Sequence, residues 1–109
     1  MPIFKKLNNI RAFQRENMSY LQSLEDYDMV CEIGAAQEAG TLILAKHLVE
    51  DSLGAPATLR RRLDRLVKLG IVTKTQGKED GRTTPLKLSS GALKAYAKLE
   101  KFIAGLDQK

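Results

Sequence analysis

Cysteine, histidine and tryptophan are scarce in this sequence of 109 residues, which has one Cys, one His and no Trp. A lone cysteine, Cys31, cannot build a disulfide framework within the chain, so a reducing, cytoplasmic setting is expected. One His and one Cys also rule out a Cys/His zinc site, and no metal or cofactor is expected. Aromatic residues make up only 6%. Tyr20, Tyr27 and Tyr96 are too far apart in sequence to form an evident stacking platform for single-stranded bases. No apolar run approaches the ~18 residues of a membrane span. The opening residues, MPIFKKLNNIR, lack the apolar stretch and small-residue cleavage site of a secretory signal. Neither a nucleophile elbow, a phosphate loop nor a paired-carboxylate motif occurs. His47, beside Lys46, has no carboxylate or thiol at catalytic spacing and reads as a surface or groove-edge residue, so the chain is not expected to be an enzyme.

What is present is a composition of 43% apolar and 28% charged residues, suited to one globular domain spanning 1–109. The net charge of +5 is unevenly placed. Residues 56–82 hold eight basic groups (Arg60, Arg61, Arg62, Arg65, Lys68, Lys74, Lys78, Arg82) against three acids (Asp64, Glu79, Asp80), and the remaining residues cancel. Residues 25–51 are the counterweight, with seven acids against Lys46. The acids from Glu25 to Glu38 are spread around their helix and read as a solvated face rather than a metal site. Cys31 among them reads as a small, partly buried helix residue, with a redox-sensor role as the lesser alternative.

The spacing predicts an N-terminal helix over residues 4–24, within an N-terminal segment 1–25. A second helix is expected over 26–38, with Met29, Val30 and Ile33 facing inward and Asp26 and Asp28 at the positive end of its dipole. Gly34, Ala35 and Ala36 would let a neighbouring helix approach closely. Gly40 reads as a stop and Thr41 as the N-cap of a third helix over 42–50. Pro56 suits the first turn of a fourth helix that ends at Gly70. Residues 71–75 and 83–88 then read as a β-hairpin with a polar tip over 76–82, and Pro85 suits an edge position. Ser89 or Ser90 caps a last helix to Leu106. On it Ala92, Tyr96, Leu99, Ile103 and Leu106 repeat at coiled-coil spacing. With Leu7 and Ile10 that seam is the expected homodimer interface, the alternative being burial against the chain's own first helix. The fold class is therefore mainly α with a small hairpin (α+β), a winged helix-turn-helix over 26–88 with flanking terminal helices.

On a wheel of ~100° per residue, Leu59, Leu63, Leu66 and Val67 share one side of the fourth helix. Ala57, Thr58, Arg61, Arg65 and Lys68 share the other, flanked by Arg60 and Arg62. Small residues allow close approach to base edges, and arginine can bond bidentately to guanine or to phosphate. A basic helix followed by a basic-tipped hairpin points to double-stranded DNA as partner. The candidate contacts are Ala57, Thr58, Arg60, Arg61, Arg62, Arg65, Lys68 and Lys74, with Lys78 and Arg82 on the wing at 76–83.

The run Thr58-Leu59-Arg60-Arg61-Arg62-Leu63-Asp64-Arg65-Leu66-Val67-Lys68-Leu69-Gly70-Ile71-Val72, then Asp80-Gly81-Arg82 and Leu86-Lys87-Leu88-Ser89, resembles the MarR-type winged-helix transcription regulators over about residues 26–96. The resemblance implies that Thr58 and Arg61 touch the major groove, that Arg82 reaches the minor groove, and that Asp80 shapes the wing loop. Between Leu48 and Thr58 this chain has about four more residues than the usual spacing, so either the third helix is a turn longer or the turn is irregular. The chain is also short for that family, whose long terminal helices build a dimer and often an effector pocket. Two other readings remain: a winged-helix module that binds protein, which commonly lacks basic residues on this face, and a plasmid or phage replication or partition protein.

Overall fold

A computed structural model describes residues 1–51, 54–75 and 84–107. Helix α1 covers Ile3–Asn17 and helix α2 covers Leu24–Glu38. The first helix thus stops seven residues short of the expected 24. The side chain of Asn17 donates to the Phe13 carbonyl, and the Met18 amide bonds the Gln14 carbonyl, which together occupy acceptors at the helix end. The chain then turns so that Met18 and Leu21 enter the core. Ser23 starts the next helix, its Oγ accepting from the Asp26 amide at 3.2 Å.

After α2, Gly40 takes a left-handed φ of 81°, and the amides of Gly40 and Thr41 bond the carbonyls of Gln37 and Ala36. Thr41 caps no helix. Its hydroxyl donates to the Ala36 carbonyl at 3.1 Å. Ile43–Leu44, expected to be helical, instead form a short strand, β1, and helix α3 is confined to Ala45–Asp51. Tertiary pairing overrides the local pattern here, because two strands later in the chain complete a sheet with β1. Helix α4 covers Pro56–Lys68, strand β2 Val72–Lys74 and strand β3 Pro85–Leu88.

The sheet is three-stranded and antiparallel in the order β1-β3-β2, not a simple hairpin. Leu86 faces Ile43 on one side and Lys74 on the other. Pro85 therefore lies in the central strand rather than at an edge. It is tolerated because it is the first residue of β3, and its carbonyl still accepts from the Thr75 amide at 3.0 Å. It is this sheet, rather than a helix, that approaches Gly34. A Cβ there would stand 3.3 Å from Leu88 Cδ1, and the Gln37 side chain accepts from the Leu88 amide.

Helix α5 covers Ser90–Leu106, with Ser89 as its N-cap accepting from the Ala92 amide. It runs antiparallel to α1: Lys6 pairs with Asp107 at 2.7 Å, and Phe13 stacks on Phe102 with ring centroids 4.7 Å apart. The seam residues Ala92, Leu99 and Leu106 are buried, and Tyr96 and Ile103 half-buried, within this one chain. The core gathers Met18, Ile33, Leu48, Leu59, Leu66, Val72, Leu86 and Leu99, so every element from α2 to α5, with the turn after α1, contributes to it.

Candidate nucleic-acid interface

Leu59, Leu63 and Leu66 bury one side of α4 and thereby decide what the other side offers. Burying three leucines in a stripe stabilises the helix position by several kcal/mol, at roughly 1.5–3 kcal/mol each. At the start of α4, Pro56 occupies the first turn and Ala55 stands at the N-cap, where it has no side-chain acceptor. Ala57 is exposed and Thr58 half-buried beside it. Farther along, Arg60, Arg61 and Lys68 are exposed, as is Lys74 on β2. Among the described residues none of these four cations has a carboxylate partner. Lys78, Asp80 and Arg82, the expected wing residues, lie outside the described residues.

Arg62 and Arg65 sit differently from the wheel's forecast. Arg62 Nη1 donates to Asp26 Oδ2 at 3.3 Å and Oδ1 at 3.5 Å. Arg65 Nη1 lies 3.5 Å from the same Oδ2 and donates to the Tyr20 carbonyl at 3.0 Å. Asp26 itself has no exposed surface, and it also accepts from the Gln22 amide at 2.9 Å. One acid of the expected solvated face is thus a buried anchor between the start of α2 and the middle of α4. A helical wheel sees only its own helix, and the partner lies 36 residues away. The local sequence Ser23-Leu24-Glu25-Asp26, a cap followed three residues later by an acid, marks only the start of a helix, not the burial of that acid.

Of the other acids on α2, Asp28, Glu32 and Glu38 are exposed and Glu25 is half-buried. Cys31 lies on that side of α2, where partial burial, then the charges of Asp28 and Glu32, raise its thiol pKa. His47 is exposed on α3, beside Cys31, Asp28, Glu32 and Asp51 around a shallow depression. Among the described residues no group of three or more His, Cys, Asp or Glu side chains could hold a metal ion.

A buried leucine stripe, an outward basic face and a three-stranded sheet whose last two strands follow it make a winged helix-turn-helix, flanked by two antiparallel helices. Solved structures share this arrangement. A mutant of MepR from S. aureus superposes with a TM-score of 0.63 at 11% identity, covering 97% of this chain and 77% of that one. A mutant MarR from E. coli complexed with operator DNA gives 0.57 at 23% identity, covering 96% and 72%. The chain has the MarR-type winged-helix fold. The organohalide-sensing RdhR transcriptional regulator in its 2,4-dichlorophenol-bound form gives 0.59 at 22% identity and covers 94% of this chain. This chain spans 59% of the length of that regulator. No family model matches the sequence, and neither does any curated protein. Among the described residues, α3 covers Ala45–Asp51, Gly54 has a φ of 126° and α4 starts at Pro56.

Proposed function

We propose that this chain binds double-stranded DNA as a transcriptional regulator, with α4 in the major groove and the segment 76–83 over the backbone or adjacent minor groove. The observation that carries the reading is the outward side of α4. Small residues stand at its start, and Arg60, Arg61 and Lys68 follow with no carboxylate partner among the described residues, on a helix whose opposite side is locked into the core. Ala57 and Thr58 permit close approach to base edges, and Arg61 is the base-reading side chain. Arg60, Lys68 and Lys74 take phosphates, and Arg82 is the wing arginine. The winged-helix fold shared with MarR, one structure of which is complexed with operator DNA, supports the same placement.

The acting form is a homodimer whose two α4 helices address half-sites about one helical turn, ~34 Å, apart. In support, α1 leaves Ile3, Phe4 and Leu7 exposed, Phe4 by 77%, beside the end of α5. The inner seam of α5 is already covered within the chain, so this outer apolar end is where a second subunit meets it. A mass in solution that stays monomeric at all concentrations overturns the dimer.

The decisive measurement is affinity for duplex DNA as a function of salt. Log affinity falls against log salt with a slope of about −0.9 per phosphate contact. Arg61→Ala is expected to cost about 1–3 kcal/mol on a duplex selected from a random library, and less on unselected duplex. Lys68→Ala weakens both equally and makes the slope shallower by about 0.9. A folded wild-type chain that ignores duplex DNA at low salt refutes the proposal.

A further inference from the structure

We infer that Asp26 is an internal stand-in for phosphate, which withholds Arg62 and Arg65 from DNA and so limits sequence-blind binding by α4. The inference rests on the DNA-binding reading above. Five cations lie on α4: Arg60, Arg61, Arg62, Arg65 and Lys68. A charge count treats them alike, but the structure divides them. Arg62 reaches both oxygens of the Asp26 carboxylate, at 3.3 and 3.5 Å, and Arg65 reaches one of them, at 3.5 Å. Arg65 is held a second time by the Tyr20 carbonyl. Their side chains are nonetheless 31% and 30% exposed, at the border of the outward face. A phosphate could reach them only by competing with Asp26.

That competition is one-sided. With both arginines in place Asp26 has no exposed surface, so an arginine that leaves exposes a carboxylate that only water entering a recessed site can then solvate. A buried carboxylate stripped of its partner is costly, whereas a phosphate on the duplex surface stays hydrated and neutralised by counterions. Among the described residues, Arg60, Arg61 and Lys68 carry no such internal claim. The helix therefore meets DNA with three free cations rather than five. Because phosphate contacts carry no sequence information, withholding two of them lowers affinity for every site alike. The base-reading side chains then account for a larger share of binding at a preferred site.

The test is binding of the full chain to a mixed-sequence duplex over a range of salt concentrations. Asp26→Asn keeps the shape and one acceptor for the Gln22 amide but removes the charge. It is expected to bind this duplex more tightly, with a slope steeper by ~0.9 for each freed arginine. An unchanged or shallower slope in a folded Asp26→Asn protein overturns the inference. Should that variant not fold, Arg62→Ala and Arg65→Ala in the wild-type background carry the test. Each is expected to change the slope by well under half of the ~0.9 of a phosphate contact, and a full loss from both overturns the inference. A second readout needs no DNA: phenylglyoxal modification mapped by mass spectrometry. Arg60 and Arg61 are expected to react first, with Arg62 and Arg65 slow in wild type and fast in Asp26→Asn. Equal rates for all four in the wild-type protein overturn the withholding. Slow Arg62 and Arg65 in a chain that binds no DNA refute the DNA-binding reading instead.

Discussion

Gly70 joins the candidate reading helix to the wing strand, and replacing it by alanine isolates one physical effect. Its φ is 79°, in the left-handed region, at the position after Leu69, the C-cap of α4. The Gly70 amide bonds the Val67 carbonyl and the Ile71 amide bonds the Leu66 carbonyl, each at 3.0 Å, the paired closure of a Schellman motif. An added Cβ would meet no atom within 4 Å, so no clash contributes. What remains is the backbone cost of a left-handed L-residue, about 1–2 kcal/mol, less the fraction returned through a stiffer unfolded chain. Gly70→Ala is therefore expected to destabilise by ~1 kcal/mol, and Gly70→Asn by about half that, since Asn tolerates this conformation better. Gly105, inside α5, is equally free of neighbours within 4 Å but has no positive φ. There the same alanine should stabilise by ~0.5 kcal/mol through helix propensity. Urea unfolding followed by circular dichroism, with unchanged m-values, measures all three. If the two alanine variants shift stability in the same direction, the conformational argument is wrong.

Other outcomes follow from burial. The Tyr96 hydroxyl is buried without a hydrogen-bond partner among the described residues, so Tyr96→Phe should hold or raise stability by up to ~1 kcal/mol at neutral pH. A loss of ~2 kcal/mol in thermal unfolding would contradict that. Burial, then Tyr20, Cys31 and Tyr27, push the same hydroxyl's pKa above the ordinary tyrosine value. The folded state thus holds that proton more tightly than the unfolded one. Stability from this group is complete below pH ~10 and is lost as pH climbs toward the raised value, a loss that Tyr96→Phe should reduce in alkaline unfolding curves. Cys31, with its thiol pKa raised, should alkylate with iodoacetamide more slowly at neutral pH than a free thiol; a faster rate would revive a sensor role. Leu66→Ala, fully buried under α4, should cost about 2–5 kcal/mol in urea unfolding and weaken DNA binding only through that loss.

Much of the architecture was readable along the chain because its signals are local. Pro56 at the first turn, Gly70 past the end, Ser89 as a cap and the Leu59-Leu63-Leu66 stripe each report a backbone requirement within one or two turns. They placed α4 and α5 to within a residue or two, and the exposure of Arg60, Arg61 and Lys68 followed from the leucines opposite them. Where partners come from far away, the local pattern misled. Leu21 and Leu24 extended a helical stripe, but the helix ends at Asn17, Met18 and Leu21 enter the core from the turn after it, and Leu24 is exposed. Ile43–Leu44 read as the start of a helix until β3, more than forty residues later, offered unpaired backbone groups. Pro85 looked like an edge residue because the third strand was not foreseen.

The sequence by itself determined which face of α4 is apolar and which is basic, since a 3.6-residue period and five cations suffice for that. Only the tertiary structure decided which cations are free. Nothing near Asp26 in the chain announces that its carboxylate will be fully buried, or that Arg62 and Arg65 will converge on it. Ion pairing in a protein depends on which charges the packed core brings within about 4 Å and shields from water, and no count of charges along a chain contains that distance.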